Sequence, residues 1–136
     1  MNSKTKTDRL IKKLEKACAG LVYISETDAE ILPVTLGPIE NLTAANMLSK
    51  LNKTKDDLIE EANSSIFFDR LTTERDWHTS VDKNRIRRFA KLRSILEENL
   101  NELKIFRIGK IQIDIYVIGK TTDGIVAGIK TSTVET

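Results

Sequence analysis

The 136 residues carry 31 % charged and 40 % hydrophobic side chains and a formal charge of +2, which describes an ordinary globular chain able to bury about two-thirds of its unfolded surface. No apolar run approaches the ~20 residues of a membrane-spanning helix, and Lys12, Lys13, Glu15 and Lys16 interrupt any secretory-signal core, so one domain over residues 1–136 in the cytoplasm is expected. The lone Cys18 excludes an internal disulfide and a thiolate metal cage.

In chain order, the spacing of Leu10, Leu14, Ala17 and Leu21 predicts a helix over 7–18 with Gly20 closing it. Cys18 lies beside its apolar stripe, as a buried small hydrophobe rather than a reactive thiol. Leu21 to Ile24 reads as a strand or as a last turn under the helix, and the acidic run after it as a turn or loop. Ile31 to Leu36 reads as an edge strand, because Pro33 cannot donate to a ladder, and Gly37-Pro38 should break it. Two short helices are expected over 43–51 and 55–62, the second opened by a capping box at Thr54 to Asp57, and a third over 66–71.

A polar loop with the single Trp77 precedes the longest helix, expected over 80–102 behind the capping box Thr79 to Asp82. Ile86, Phe89, Leu92, Leu96, Leu100 and Leu103 form its buried stripe. Its basic residues crowd the N-terminal half, against the helix dipole. Three runs follow, Lys104 to Ile108, Ile111 to Val117 and Ile125 to Thr131. The middle one has strict two-residue alternation, and Asp123-Gly124 suits a tight reversal into the last, so an antiparallel meander is expected.

The charge is unevenly spread. Residues 1–20 carry +4, residues 21–80 carry five basic against eleven acidic groups, or −6, and residues 81–136 carry +4. Two faces of opposite sign are compatible with that pattern. Gly119-Lys120-Thr121 lacks the earlier glycine and following helix of a phosphate loop. His78, the sole histidine, has no nucleophile or carboxylate partner in an evident motif. An enzyme is therefore not expected. The basic half of the long helix suggests phosphate contacts, but Phe89 beside it belongs to the buried stripe, and a solvated face with an Arg93–Glu97 pair competes with that reading. Trp77 either caps the core or stands out as an anchor for a protein partner.

Several of these residues together resemble the nuclease A inhibitor family, small proteins that block sugar-non-specific DNA/RNA endonucleases. They are Gly20-Leu21 with Ser25-Glu26, Phe67-Phe68, Thr72-Thr73 with Asp76-Trp77, Phe89 and Lys91-Leu92. The C-terminal block is the strongest part: Ile113 to Gly119, Ala127-Gly128-Ile129 and Val134-Glu135-Thr136. The resemblance spans the chain except roughly residues 28–62. It implies an α+β fold, an α/β/α sandwich of the pathogenesis-related-protein type with a mainly antiparallel central sheet. It also implies a stoichiometric inhibitor, monomeric when free, with no cofactor and no direct nucleic-acid contact. Thr136 would meet the catalytic metal of the nuclease, Glu26 its phosphate-binding groups and Trp77 its rim, with Glu135 beside the terminal threonine as a further contact. The alternative reading is a nucleic-acid-binding module that uses the basic face of the long helix.

Overall fold

A computed structural model describes residues 5–24, 27–53 and 58–135. In chain order these form α1 (Lys6–Cys18), β1 (Val22–Ile24), β2 (Asp28–Glu30), β3 (Leu32–Pro38), α2 (Ala44–Lys50), β4 (Ile59–Ala62), α3 (Ser64–Thr72), α4 (Ser80–Asn99), β5 (Asn101–Ile108), β6 (Gln112–Lys120) and β7 (Ile125–Val134). The five strands β3-β7-β6-β5-β4 make one antiparallel sheet, and β1 and β2 form a separate hairpin.

Alternation along β6 explains why this strand is central. Ile113, Ile115 and Val117 face a core that also contains Leu10 and Leu14 of α1, Phe68 of α3, and Phe89, Leu92 and Leu96 of α4. Tyr116 and Ile118 face the opposite core, with Phe106, Ile108 and Val126 of the sheet and Met47 and Leu48 of α2. Helices thus cover both faces, giving the mixed α+β sandwich that was expected. Each fully buried side chain of these two cores contributes about 1.5–3 kcal/mol, so neither helical layer is dispensable.

The meander is as expected, with the β6–β7 reversal closed by Gly124 N–H to Thr121 O at 3.0 Å. That turn also fastens α1. Thr7 N–H donates to Asp123 Oδ2 at 3.0 Å, and the Thr7 and Thr121 hydroxyls are 2.8 Å apart. The Thr7 backbone N–H, and then its hydroxyl, hold the Asp123 carboxyl below the usual carboxylate range. From there α1 runs antiparallel to α4: Arg88, early in α4, donates to Ala17 O and Ala19 O at the end of α1. The same guanidinium closes the C-terminus of α1, where Gly20 turns the chain at φ +72.

Three expected elements differ. Residues 59–62, read as part of a helix, are edge strand β4, because Ile59 and Ala62 point into opposite cores while the backbone pairs with Ile108 and Ile105. The capping box expected at Thr54 to Asp57 lies outside the described residues. The long helix ends at Asn99, not 102; Asn101 already pairs with Lys120, and Glu102 takes a positive φ of 55 where the ladder shifts register. Gly37-Pro38 does not break the edge strand, since β3 absorbs a bulge between Thr35 and Gly37 and continues to Pro38. Among the described residues, no helix is long and apolar enough to cross a membrane.

Candidate functional site

The α3–α4 loop is held by short-range hydrogen bonds and an ion pair. His78 N–H donates to Arg75 O at 3.0 Å, and Arg75 N–H returns a 2.9 Å bond to His78 Nδ1. Glu74 pairs with Arg87 at 3.5 Å. The helix then starts on the expected capping box, with Asp82 N–H to Thr79 Oγ1 at 3.2 Å and Thr79 N–H to Asp82 Oδ2 at 3.0 Å. The Thr79 backbone N–H, followed by its hydroxyl and the Arg85 guanidinium, keeps Asp82 below the usual carboxylate range. Trp77 projects from this fixed loop, 78 % exposed, with its ring centroid 4.3 Å from that of His78. It does not cap the core.

The β1–β2 hairpin reaches the same region. Ile24, the last residue of β1, lines a cleft of about 150 Å³ with Thr73, His78, Asp82, Arg85 and Phe89. Glu26 itself lies outside the described residues. Behind the tip, Tyr23 stacks on Phe67 at 5.7 Å, and Phe67 meets Phe68 edge-on at 5.3 Å. Arg93 stands 5.7 Å from the Phe68 ring and pairs with Asp69 at 2.8 Å and with Glu97 at 3.2 Å. The Asp69 hydrogen bond is the largest influence raising the Arg93 pKa. Aromatic packing of this kind fixes the hairpin to α3 and α4.

The hairpin also touches the last strand, through Thr131 Oγ1–H donating to Glu30 O at 2.9 Å. Beyond it β7 remains paired to Val134, opposite Gln112. Glu135 N–H donates to Ile111 O at 2.8 Å, so the backbone is held one residue past the ladder. Arg107 of β5 bonds Glu60 of β4 at 3.2 Å on one side and Glu135 on the other. Burial works against the Arg107 charge, but Glu135 and then Glu60 overcome it and raise its pKa. Thr136 lies outside the described residues.

One end of the sheet therefore gathers Ile24 of the β1–β2 hairpin, the Trp77 loop, the first turn of α4 and the anchored Glu135. The opposite end carries Asn101, Lys120 and the β6–β7 turn. Sequence reading did not find Arg107. Its role depends on the pairing register of three strands, and residues 59–62 read as helical.

The other candidates have structural explanations. Cys18 is buried, and burial pushes its thiol up to about 11 against the opposing influence of Arg88. Gly119 sits inside β6, where a Cβ would lie 2.7 Å from Asn101 O. Lys120 Nζ donates to Glu40 O and Thr121 bonds Thr7, so neither forms part of a phosphate loop. Among the described residues, no group of three His, Cys, Asp or Glu side chains is arranged to hold a metal ion. The basic residues of α1 and α4 do converge: Lys13, Lys16, Arg88 and Lys91 surround a groove of about 540 Å³ floored by Ala17 and Ile95. It lies on the outer side of the helical layer, away from the sheet end.

A family model described as NuiA, nuclease A inhibitor-like protein, matches residues 8–136. No curated protein matches the chain.

Proposed function

The chain belongs to the nuclease A inhibitor-like protein family, and we propose that it is a stoichiometric, non-enzymatic inhibitor of a sugar-non-specific, metal-dependent nuclease, acting as one domain and monomeric when free. The observation that carries this reading is the convergence, at one sheet end, of Trp77, the hairpin that leads into Glu26 and the anchored residue before Thr136. The Thr136 hydroxyl and carboxylate enter the catalytic site and bind the nuclease's own metal. Glu26 engages the groups that otherwise hold phosphate, and Trp77 packs on the rim. Glu135 follows β7 into the interface.

The chemistry is consistent with such a target. A hard divalent cation such as Mg²⁺ takes oxygen ligands, so a hydroxyl and a carboxylate can replace the phosphate oxygens it normally receives. A chain held through Glu135 beyond β7 has little further backbone entropy to lose there on binding. The −6 of residues 21–80 complements a groove that is basic for nucleic acid. The chain's positive charge does not oppose this docking strongly, because the α1–α4 groove points elsewhere.

Titration into a metal-loaded non-specific nuclease should abolish activity with a break at one equivalent. Activity that persists at several equivalents removes the reading. The basic α1–α4 groove keeps nucleic-acid binding as the second reading, although no aromatic side chain lines it for base stacking. In a gel shift at physiological salt the inhibitor reading expects no tight complex with DNA or RNA. A complex that weakens steeply with added salt favours the second reading.

A further inference from the structure

Large exposed hydrophobic side chains are not scattered evenly over this molecule. Among the described residues they are Ile24, Leu32, Leu58, Trp77, Val81 and Ile111, together with Ile66. Five of them share the sheet end just described: Ile24 ends β1, Leu58 precedes β4, Trp77 and Val81 flank the start of α4, and Ile111 precedes β6. The exceptions are Leu32, paired with Lys130 four pairs in from the Gln112–Val134 edge, and Ile66, on α3 after the Ala62–Ile105 pair, three pairs in from the Ile59–Ile108 edge. A lone exposed apolar residue carries no information, but a concentration on one face marks an interaction surface.

Ile111 and Leu58 have a particular place in that surface. The Ile111 carbonyl accepts the Glu135 N–H at 2.8 Å, and the Leu58 carbonyl accepts the Gly109 N–H at 2.9 Å in the same β5–β6 turn. The turn requires glycine, because Gly109 has φ +124 and an added Cβ would lie 2.1 Å from Gln112 O. Both side chains stay outside the core, Leu58 59 % and Ile111 58 % exposed. Any partner cleft that receives the residue after Glu135 must close over this turn.

We infer that Leu58 and Ile111 form a second apolar anchor of the docking surface, flanking the terminus on the β6–β4 side of β7, and that their partner is an apolar rim of the nuclease cleft. This rests on the inhibitor reading and adds to it a contact outside the family-like positions. Glu60 and Glu135 beside the anchor share the single Arg107, which leaves one negative charge over to match a protein rim with a cation next to its apolar patch. They disfavour an anionic lipid surface.

The test uses the full chain with Leu58→Glu, Ile111→Glu, both together, and Ile66→Glu as an equally exposed control. Each is titrated against a metal-loaded non-specific nuclease beside the parent protein and a form lacking Thr136. The paired variant should inhibit at least ~10-fold more weakly, about 1.4 kcal/mol, with the melting temperature retained and the Ile66 variant unchanged. If removing Thr136 weakens inhibition while the paired variant inhibits as well as the parent, the second anchor is wrong and the inhibitor reading stands. If the parent does not inhibit, both fall. Sedimentation of the parent at ~100 μM decides the remaining occupant: a dimer abolished by Ile111→Glu assigns the patch to a second copy and overturns the inference. Should Leu58→Glu lower the melting temperature, Leu58→Ser and Ile111→Ser are read in its place.

Discussion

Replacing Trp77 by alanine separates binding from folding. A tryptophan presents up to about 250 Å², and with 78 % of it exposed some ~190 Å² remains for a partner to cover. At about 25 cal/mol per Å², complete coverage corresponds to ~5 kcal/mol. Incomplete coverage and side-chain ordering reduce the expected loss of binding to about 1–4 kcal/mol, an affinity change between about 5-fold and 1,000-fold. Folding should hardly respond, since the loop is closed by the reciprocal Arg75–His78 bonds, one between backbones and one to the imidazole, and the ring's own contact in the described structure is with His78. A stability change within about 0.5 kcal/mol is expected. Calorimetry of the complex and thermal unfolding of the free protein measure the two quantities. A stability loss beyond ~2 kcal/mol would mean that the ring covers the core after all, and unchanged affinity would remove Trp77 from the interface.

Arg107→Gln releases both Glu60 and Glu135, whose side chains are more than half exposed, so it should cost no more than about 1 kcal/mol of stability. Its effect on inhibition should be several-fold larger in the parent than in a form lacking Thr136; equal effects in both backgrounds would show that it does not act through the terminus. The Asp123 carboxyl titrates lower folded than unfolded, because Thr7 N–H bonds its charged form. Its stabilisation is therefore complete above the unfolded carboxylate pKa near ~4 and is lost as pH falls through the lower folded value. Asp123→Asn should flatten that part of a melting-temperature profile between pH 2 and 5, and an unaltered slope would contradict the assignment. Cys18, with a thiol near 11, should be about 0.1 % thiolate at pH 8. Rapid labelling of the folded protein by a disulfide reagent at that pH would refute its burial.

Strong alternation made the C-terminal meander legible. Ile113, Ile115 and Val117 serve one core and Tyr116 and Ile118 the other, so both faces of β6 are written into consecutive residues. Edge strand β4 was not legible. Its four residues carry two glutamates and a four-residue spacing from Leu58 to Ala62 that suits a helix, and only the partner strand β5 makes it extended. The hairpin of β1 and β2 was half visible for a related reason, since three-residue strands contain no measurable period. Of the candidate site, the polar loop around Trp77 was legible, but the choice between a core cap and an exposed anchor was made only by the structure, where the ring is 78 % exposed. The Arg107 link to Glu60 and Glu135 was not legible, because residues 47 and 28 positions apart meet only once the sheet register is set. The placement of Glu26 and Thr136 comes from the family-like motif alone.

Affinity measured with and without Thr136, against metal-loaded and metal-stripped nuclease, addresses the mechanism most directly. The account predicts that removing Thr136 weakens binding to the loaded enzyme by at least ~10-fold, about 1.4 kcal/mol. Stripping the metal should weaken the parent but change the shortened protein far less, because the two losses are the same contact. A protein lacking Thr136 that binds the loaded enzyme as tightly as the parent would contradict metal capture by the terminus.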